Sequence, residues 1–216
     1  EANIISPSAE NLTAMLVGSG IHNEIQKTLY YIGILEGVYK CAACGHEFWA
    51  TSPRGQCQNC RQFFKGWDYV IFKEVPINID FIRGHADGII NNNGKRYLLE
   101  IKSIKNSQNG TYGFEKITNK PLDEHIIQTQ LYLHFWAHLA KQAILQSDIV
   151  VDELGKIQQI PLIGPVYDGA RVIGTINYGI IEYIAKNSSE KRAFLVKKNY
   201  NSIKFLLSEL KIIWKA

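Results

Sequence analysis

Residues 84–102 read GHADGIINNNGKRYLLEIK, and this stretch decides the fold that we expect. An Asn-Gly pair at residues 93 and 94 lies between two apolar, alternating runs, which is the strongest short-range signal for a β-hairpin. If this pair forms a two-residue turn, Asn92 pairs with Lys95 and the register of the whole hairpin is fixed. The sequence therefore predicts two antiparallel strands in this register.

Two carboxylates and one lysine meet in that register. Asp87 comes to lie directly opposite Glu100, and the two-residue period of a strand places Lys102 on the same face. Like charges destabilise a sheet in such opposed positions, but a divalent cation between them reverses the sign of the interaction, and hard oxygen ligands suit Mg²⁺ or Mn²⁺. The pattern predicts a metal site suited to phosphodiester hydrolysis. A plain surface hairpin with a Glu–Lys pair explains the same short pattern and stays open.

These residues resemble the core motif of the PD-(D/E)XK nuclease superfamily, with Ala86 where the name pattern has proline. The RecB-like branch and its phage exonuclease relatives carry a helical histidine in a Gly-x-x-x-His context upstream, and residues 18–22 read GSGIH. They also carry a Gln-x-x-x-Tyr helix downstream, and residues 128–132 read QTQLY. The four elements agree in order and span most of the chain. Thr129 departs from the pattern, since that position is usually apolar.

The resemblance implies a restriction-endonuclease-like α/β core, with a mixed central β-sheet flanked by helices, and it implies a site. The divalent metal would be bound by His22, Asp87, Glu100 and the carbonyl of Ile101. The catalytic set would be Asp87, Glu100 and Lys102, supported by Gln128 and Tyr132. Lys102 would position or activate the attacking water. An isolated histidine on an apolar helix is more often structural or exposed, so that interpretation of His22 also stays open.

The four cysteines give a second, independent signal. Cys41 and Cys44 form one Cys-x-x-Cys pair, Cys57 and Cys60 form another, and twelve residues separate the two pairs. The spacing is close to the four-cysteine zinc pattern, in which the metal has no open position and its role is structural. Two disulfides are one alternative. An iron–sulfur cluster is another, but in the RecB-like nucleases that carry one, the cysteines flank the core. One contiguous insertion favours Zn²⁺.

Aromatic and basic side chains crowd the cysteine-containing segment. They are Phe48, Trp49, Arg54, Arg61, Phe63, Phe64, Lys65 and Trp67. Such a mixture can stack bases and contact phosphates, although a small zinc module also needs aromatics for its own core. We expect this segment to contact DNA.

Length and composition set the domain organisation. The 216 residues suffice for one core with a small appended module, and 46% of them are hydrophobic. We expect N-terminal helices at residues 1–38, an inserted zinc ribbon at 39–67 and the rest of the nuclease core at 68–216. The net charge of +4 is mild, but basic residues concentrate at 95–120 and 186–216, as a polyanion-binding groove would require.

Periodicity and turn signals give a coarse secondary structure. We expect a short helix from residue 6 to about 18, a helix at 21–35, a strand at 69–79, the hairpin at 81–104, a mobile loop at 106–122, a helix from 123, strands at 176–184 and 193–197, and a helix at 200–214. Residues 146–174 carry no clear pattern. No apolar run approaches the roughly 20 residues that span a membrane, and no signal peptide is evident. We expect an intracellular, cytoplasmic protein. A phage-encoded protein that acts in the host cell, with phage or host recombination proteins as partners, is one form of this expectation.

The expected function is a metal-dependent DNA nuclease. An exonuclease that acts on DNA ends or single strands, in phage-type recombination, replication or repair, is our first interpretation. A structure- or site-specific endonuclease on the same core is an alternative, because sequence does not distinguish an open groove from a closed tunnel. A non-catalytic DNA-binding protein that uses the zinc ribbon is a second alternative.

Overall fold

The computed structural model describes residues 9–79, 82–105, 113–145, 148–151, 157–160 and 176–215. Its α-helices are α1 (Ala9–Ile32), α2 (Asp123–Leu145) and α3 (Tyr200–Lys215). Its strands are β1 (Leu35–Cys41), β2 (Glu47–Thr51), β3 (Gly55–Gln56), β4 (Phe63–Phe64), β5 (Val70–Lys73), β6 (Val75–Ile79), β7 (Ile82–Ala86), β8 (Gly88–Asn92), β9 (Lys95–Ile104), β10 (Asp148–Val151), β11 (Ile157–Ile160), β12 (Tyr178–Ala185) and β13 (Lys191–Lys197).

Seven strands form the main sheet in the order β13, β12, β9, β8, β1 and β2, with β5 also paired to β1. The sheet is mixed, because β9 and β12 run parallel while the other neighbours are antiparallel. Three two-stranded sheets, β3–β4, β6–β7 and β10–β11, complete the described strands. Both β10 and β11 lie within residues 146–174, where no clear pattern predicted an element.

The predicted hairpin register is confirmed. Asn92 pairs with Lys95, and the ladder between β8 and β9 continues to Gly88 opposite Leu99. Asn93 and Gly94 both have positive φ, 51° and 82°, as a two-residue turn of this hand requires.

Helices cover both faces of the main sheet. Because side chains alternate along a strand, neighbouring residues of β9 pack against different helices. Leu98 lies in a cluster with Leu133 and Trp136 of α2, whereas Leu99 packs against Ile25 of α1. The chain is thus an α/β protein with a mixed central sheet flanked by helices.

The first helix differs from the prediction. Instead of a short helix that ends near Gly18 and a second that runs to Leu35, α1 is continuous through Gly18 and ends at Ile32. Gly18 lies against the sheet, and a Cβ there would stand 3.0 Å from Ser103 Oγ. Close packing therefore explains the glycine, which the sequence analysis had taken for a helix end. The helix stops at Gly33, whose φ is 92°, and Leu35 begins β1.

The strands around residues 69–92 are divided differently from the prediction. A single strand was expected at 69–79, but a 3₁₀ turn at Trp67–Tyr69 precedes β5, and β6 belongs to another sheet. The first hairpin strand also divides, since β7 pairs with β6 while β8 pairs with β9. Pro76 has no N–H to donate and lies in the β6–β7 pair, outside the main sheet. Glu74 and Asp87 occupy the two points where the chain changes sheets.

The segment expected to be a mobile loop is partly anchored. Residues 106–112 of it lie outside the described residues, but Phe114 and Ile117 are fully buried. Arg192 of β13 donates a hydrogen bond to the Phe114 carbonyl (2.7 Å) and stacks on its ring.

The C-terminal elements lie close to their expected positions as β12, β13 and α3. The predicted start of the first helix at residues 6 and 7 also lies outside the described residues. Within the described helices, none has the length and apolar character that crossing a membrane requires.

The close approach of α2 to β12 gives a test of the packing. A Cβ on Gly179 would stand 2.4 Å from Thr129 Cγ2, so Gly179→Ala should lower the free energy of unfolding by about 1–3 kcal/mol through overpacking. Gly20→Ala is the control, because nothing lies within 4 Å of its Cβ position and alanine favours the helix by about 0.5–1 kcal/mol. Urea denaturation of both variants measures the difference. Equal stabilities would contradict this packing.

Candidate metal centres

Two similar turns present the four cysteines. Cys41 ends β1, and the Gly45 N–H donates to its carbonyl (2.9 Å). In the second turn the Arg61 N–H donates to the Cys57 carbonyl at the same distance. Gly45 and Arg61 both have positive φ, which lets each turn fold back after its Cys-x-x-Cys pair. The two pairs therefore converge on one point.

The sulfur positions fit one tetrahedral metal ion. All four Sγ atoms lie within 4.8 Å of one another, and both the Cys41–Cys60 and the Cys44–Cys57 distances are 3.7 Å. A tetrahedron with metal–sulfur bonds of about 2.3 Å has edges of about 3.8 Å. The cysteines are not joined as disulfides, whose sulfurs stand about 2.05 Å apart. These four residues could bind a metal ion such as Zn²⁺.

The electrostatics of the four thiols favour a cation between them. The pKa of Cys44 is lowered to about 6, first by the His46 backbone N–H and then by the Asn59 amide, which lies 3.6 Å from its sulfur. The Gln62 backbone N–H lowers the pKa of Cys60, but the neighbouring cysteine sulfurs, that of Cys44 first, outweigh it and raise the pKa to about 12. Ionisation of one thiol thus opposes that of the next, and a bound cation removes the conflict.

Most aromatics near the cysteines form a core. Phe48, Phe64 and Trp67 pack in one cluster with Tyr30 and Tyr39 of neighbouring elements. Trp49 packs against Trp136 and donates its indole N–H to Glu36 (3.0 Å), and the Arg54 guanidinium lies 4.3 Å from the centroid of the Tyr30 ring. The exposed residues of this set include Arg61, Phe63 and Lys65. If this segment contacts DNA as expected, these exposed residues are the ones available for the contact.

A second centre forms where the chain passes from β7 to β8. Asp87 is buried in this break, and its own N–H donates to the Leu99 carbonyl (3.1 Å). The Ile101 N–H donates to Asp87 Oδ2 (2.6 Å), and Gln26 Nε2 of α1 donates to the Asp87 carbonyl (2.8 Å). Since a strand residue directs its N–H and C=O to the same edge, the Ile101 carbonyl also lies at the edge that faces Asp87. Three hydrogen bonds thus fix Asp87, two through its backbone and one through its carboxylate.

His22 of α1 reaches the same carboxylate. Its Nδ1 lies 3.1 Å from Asp87 Oδ1, and this hydrogen bond raises the pKa of the imidazole against the opposing effect of burial. The structure thus brings together two residues that the sequence placed 65 positions apart.

Glu74 is a member of this centre that the sequence did not reveal. Its carboxylate lies with the His22 and Asp87 ligand atoms in a group in which all are within 4.8 Å of one another. Burial and then the Asp87 charge raise the pKa of Glu74. The available signal was Pro76, which argues against a long uninterrupted strand and so for a change of direction near Glu74.

Glu100 lies deeper and is not a member of that group. Its side chain is 4% exposed; Oε1 accepts a hydrogen bond from Lys102 Nζ (2.6 Å). Oε2 is buried and has no hydrogen-bond partner among the described residues. Burial, and then the Asp87 charge, raise the pKa of Glu100 to about 7. A buried carboxylate oxygen without a partner is costly, and a metal ion would satisfy it.

The lysine and the α2 residues form one hydrogen-bonded chain. Lys102 Nζ donates to Gln128 Oε1 (2.9 Å), and Gln128 Nε2 donates to the Tyr132 hydroxyl (3.1 Å). That hydroxyl stands so close to Gly84 that a Cβ there would lie 2.4 Å from it. Gln128, Tyr132 and Gly84 thereby fix the direction of the ammonium group.

Two neighbouring residues of α2 lie outside this chain of hydrogen bonds. His125 Nδ1 instead forms a 2.8 Å hydrogen bond with the Tyr183 hydroxyl. Thr129 is fully buried, and its methyl group packs against Gly179. This contact explains why a largely apolar side chain suits position 129.

Comparisons with known proteins do not identify a family. No protein-family model matches the chain, and no curated protein matches it. One solved structure with a similar backbone, described as "Crystal structure of SSO0001", is 15% identical with a TM-score of 0.40. The match covers 94% of this chain but only 61% of that chain. At this level the likeness carries no argument.

Removal of the metal from the cysteines should destabilise the fold. Cys41 belongs both to β1 and to the aromatic cluster, so Cys41→Ser or a strong chelator should lower the melting temperature and release bound Zn²⁺. Calorimetry together with elemental analysis measures both quantities, and re-addition of Zn²⁺ to the chelated wild-type chain is the control. An unchanged melting temperature and metal content would contradict the centre.

The affinity of the acidic centre for Mg²⁺ should rise with pH. Glu100 must lose a proton whose pKa is about 7, so below that pH the affinity should rise on the order of tenfold per pH unit. In the metal-free protein, the free energy of unfolding should change with pH in the opposite direction from the Mg²⁺ affinity. The folded-state pKa lies above the unfolded value of 4.5, so the free energy of unfolding should fall as pH rises from about 4.5 to about 7.

Calorimetric titrations with Mg²⁺ at about pH 6, 7 and 8 test this dependence. Glu100→Gln is the control, because it removes the contribution of Glu100 to the pH dependence of the affinity. The raised pKa of His22 acts in the same direction as that of Glu100. An affinity that does not vary with pH in the wild-type chain would show that neither Glu100 nor His22 loses a proton on binding.

Proposed function

We propose that this chain is a metal-dependent nuclease that hydrolyses phosphodiester bonds in DNA, with Asp87, Glu100 and Lys102 at the reacting phosphate. One observation carries the proposal. The Lys102 ammonium is held between Glu100 and Gln128, beside a carboxylate oxygen of Glu100 that has no partner among the described residues. This is the arrangement that the resemblance to RecB-like PD-(D/E)XK nucleases implies.

The residues of the acidic centre fit Mg²⁺ or Mn²⁺. Asp87, Glu100 and the Ile101 carbonyl supply hard oxygen ligands, and His22 supplies one imidazole. The ion, when bound, would polarise a phosphoryl oxygen and lower the pKa of a coordinated water. The buried oxygen of Glu100 and its raised pKa, about 7, support a cation at this position, because ionised Glu100 and Asp87 repel each other without one.

Lys102 has the catalytic role in this proposal. Two of its three N–H donors are used by Glu100 and Gln128. The third has no partner among the described residues and could hold the attacking water or a non-bridging phosphate oxygen. Gln128 and Tyr132 are positioning residues, since they touch the lysine and each other. Their hydrogen bonds keep the Lys102 ammonium from turning toward solvent. The ammonium is therefore already oriented for the reaction.

The cysteine centre has a structural role in the proposal, with Zn²⁺ as its ion. In an iron–sulfur cluster the cysteines bind different iron atoms and are separated by the cluster itself. Four sulfurs that lie within 4.8 Å of one another favour a single ion instead. All four positions are protein ligands, so no place is left for substrate.

For the substrate we propose DNA with a free end or a single-stranded region, in phage-type recombination, replication or repair. The exposed Arg61, Phe63 and Lys65 on the cysteine module are suited to phosphates and bases. The same residues favour the second candidate function, in which the module binds DNA and the core is only a scaffold. An endonuclease on the same core is the third.

Cleavage assays with active-site variants test the proposal. Asp87→Ala, Glu100→Ala and Lys102→Ala should each lower the cleavage rate by at least about 10³-fold, because each removes a metal ligand or the lysine. Lys27→Ala is the control, since this lysine lies outside both basic segments and pairs with Glu24 on the same helix. All variants should keep the wild-type circular dichroism and Zn²⁺ content. Full activity in any of the three would overturn the proposed site.

The form of the substrate distinguishes the candidate functions. End-labelled linear single-stranded DNA and a circular single-stranded control are incubated with Mg²⁺ or Mn²⁺, and with EDTA. Loss of the linear strand alone, and only with metal, is the expected result for an exonuclease. Cleavage of the circular strand would instead indicate an endonuclease. Tight binding without cleavage of either would favour the DNA-binding scaffold.

A further inference from the structure

Lys198 is a buried lysine in the short connection between β13 and α3. The residue is 7% exposed, yet its ammonium group forms no hydrogen bond or ion pair with any described residue. Its Nζ instead stands 4.8 Å from the centroid of the Tyr200 ring. Burial lowers the pKa of the Lys198 ammonium, because a charge without a counter-ion is costly inside a protein. A buried cation of this kind indicates a place for an anion.

A cavity opens beside the Lys198 ammonium. Its volume is about 520 Å³, which is within the range of small-molecule sites. The residues that line it are Lys197, Lys198, Asn199, Tyr200 and Asn201. The lining thus contains two lysines and no carboxylate, so the cavity favours a negatively charged occupant.

The N-terminus of α3 lies at the same cavity. This helix is 16 residues long and has no acidic residue in its first turn. Asn199 Oδ1 accepts hydrogen bonds from the N–H groups of Asn201 (3.0 Å) and Ser202 (3.3 Å), while the Tyr200 N–H has no acceptor among the described residues. The positive end of the helix dipole therefore adds to the charge of Lys198, and one backbone donor is available beside it.

Gln130 of α2 fixes the backbone on both sides of Lys198. Its Nε2 donates to the Lys197 carbonyl (2.7 Å), and its Oε1 accepts a hydrogen bond from the Asn199 N–H (2.8 Å). The Lys198 N–H donates to the Asn177 carbonyl (2.9 Å). Because three consecutive residues are held in this way, ordering the site on binding would cost little free energy.

We propose that Lys198 and the first turn of α3 bind a phosphate group, at a site separate from the acidic centre. The Lys198 ammonium and the Tyr200 N–H donate to the phosphate oxygens. The two sites lie at different side chains of α2, which contacts Lys102 through Gln128 and the β13–α3 connection through Gln130.

A DNA strand and a free phosphate ion present the same chemical group to this site. Tyr200 is 66% exposed, so its ring can stack on a base that neighbours the bound phosphate. This favours a strand. The choice of a DNA strand rests on the proposed function, and the bound group is then a phosphate other than the one that reacts.

Inorganic phosphate tests the site without reference to cleavage. The full chain is titrated with phosphate by calorimetry, and sodium chloride at matched ionic strength is the control for screening. The wild-type chain should bind phosphate, and its melting temperature should rise with the phosphate concentration. Lys198→Met should weaken this binding by at least about tenfold, because the side chain keeps its length but loses its charge. Lys27→Met, the same change on α1, should leave the binding unchanged.

The stability of Lys198→Met in chloride alone shows whether the lysine has a purely structural role. Methionine buries no uncompensated charge, so this variant should melt at or above the temperature of the wild-type chain. A lower melting temperature would show that the ammonium already has a partner within the chain, and it would overturn the site. Absence of phosphate binding in the wild-type chain, or equal binding by Lys198→Met, would also overturn it.

A short single-stranded oligonucleotide, without divalent metal, distinguishes the two sources of the phosphate. Tyr200→Ala should leave the affinity for inorganic phosphate unchanged but weaken oligonucleotide binding by at least about fivefold, whereas Lys198→Met should weaken both. Oligonucleotide binding that neither change affects would overturn the strand as the source and leave a site for free phosphate. Phosphate binding that requires Lys198, in a chain that does not cleave DNA, would overturn the nuclease function and leave the phosphate site standing.

Discussion

The hydrogen bond from the Ile101 N–H to Asp87 Oδ2 is the interaction on which the rest of the acidic centre depends. A backbone donor that would otherwise continue the ladder with β7 goes to a side chain, and at that point the chain leaves one sheet and enters another. The break gives Asp87 its buried position and frees β7 to pair with β6. Glu74 lies at the other point where the chain changes sheets, and its carboxylate approaches both His22 and Asp87.

Local signals in the sequence determined the parts of the structure that were predicted correctly. The turn at Asn93 and Gly94 fixes the register of β8 and β9, because two residues with positive φ allow few alternatives. The spacing of Gln128 and Tyr132 places both side chains on one face of α2. Contacts between distant segments account for the rest. In the sequence, Gly18 resembles a helix end, and only its packing against Ser103 explains the glycine. Glu74 likewise resembles a strand residue, and only the folded chain brings it close to His22 and Asp87.

The two candidate metal centres share their supporting strands. Cys41 ends β1, whose first residues pair with β8, while its last residues pair with β5. Glu74 directly follows β5, and Asp87 directly precedes β8. The cysteines were expected to form a separate insertion from residue 39, yet that boundary falls within β1. Metal bound by the cysteines would therefore stabilise the strands that place both acidic side chains.

The order of the elements along the chain has a consequence for biosynthesis. The ribosome delivers the four cysteines before Asp87, and Asp87 well before Gln128 and Tyr132. Domains generally acquire structure from the N-terminal side during translation, so the cysteine pairs can close while the residues that orient Lys102 are still unsynthesised. Assembly in this sequence keeps the acidic centre incomplete until α2 emerges, so the hydrogen bonds that hold Lys102 would form late in translation.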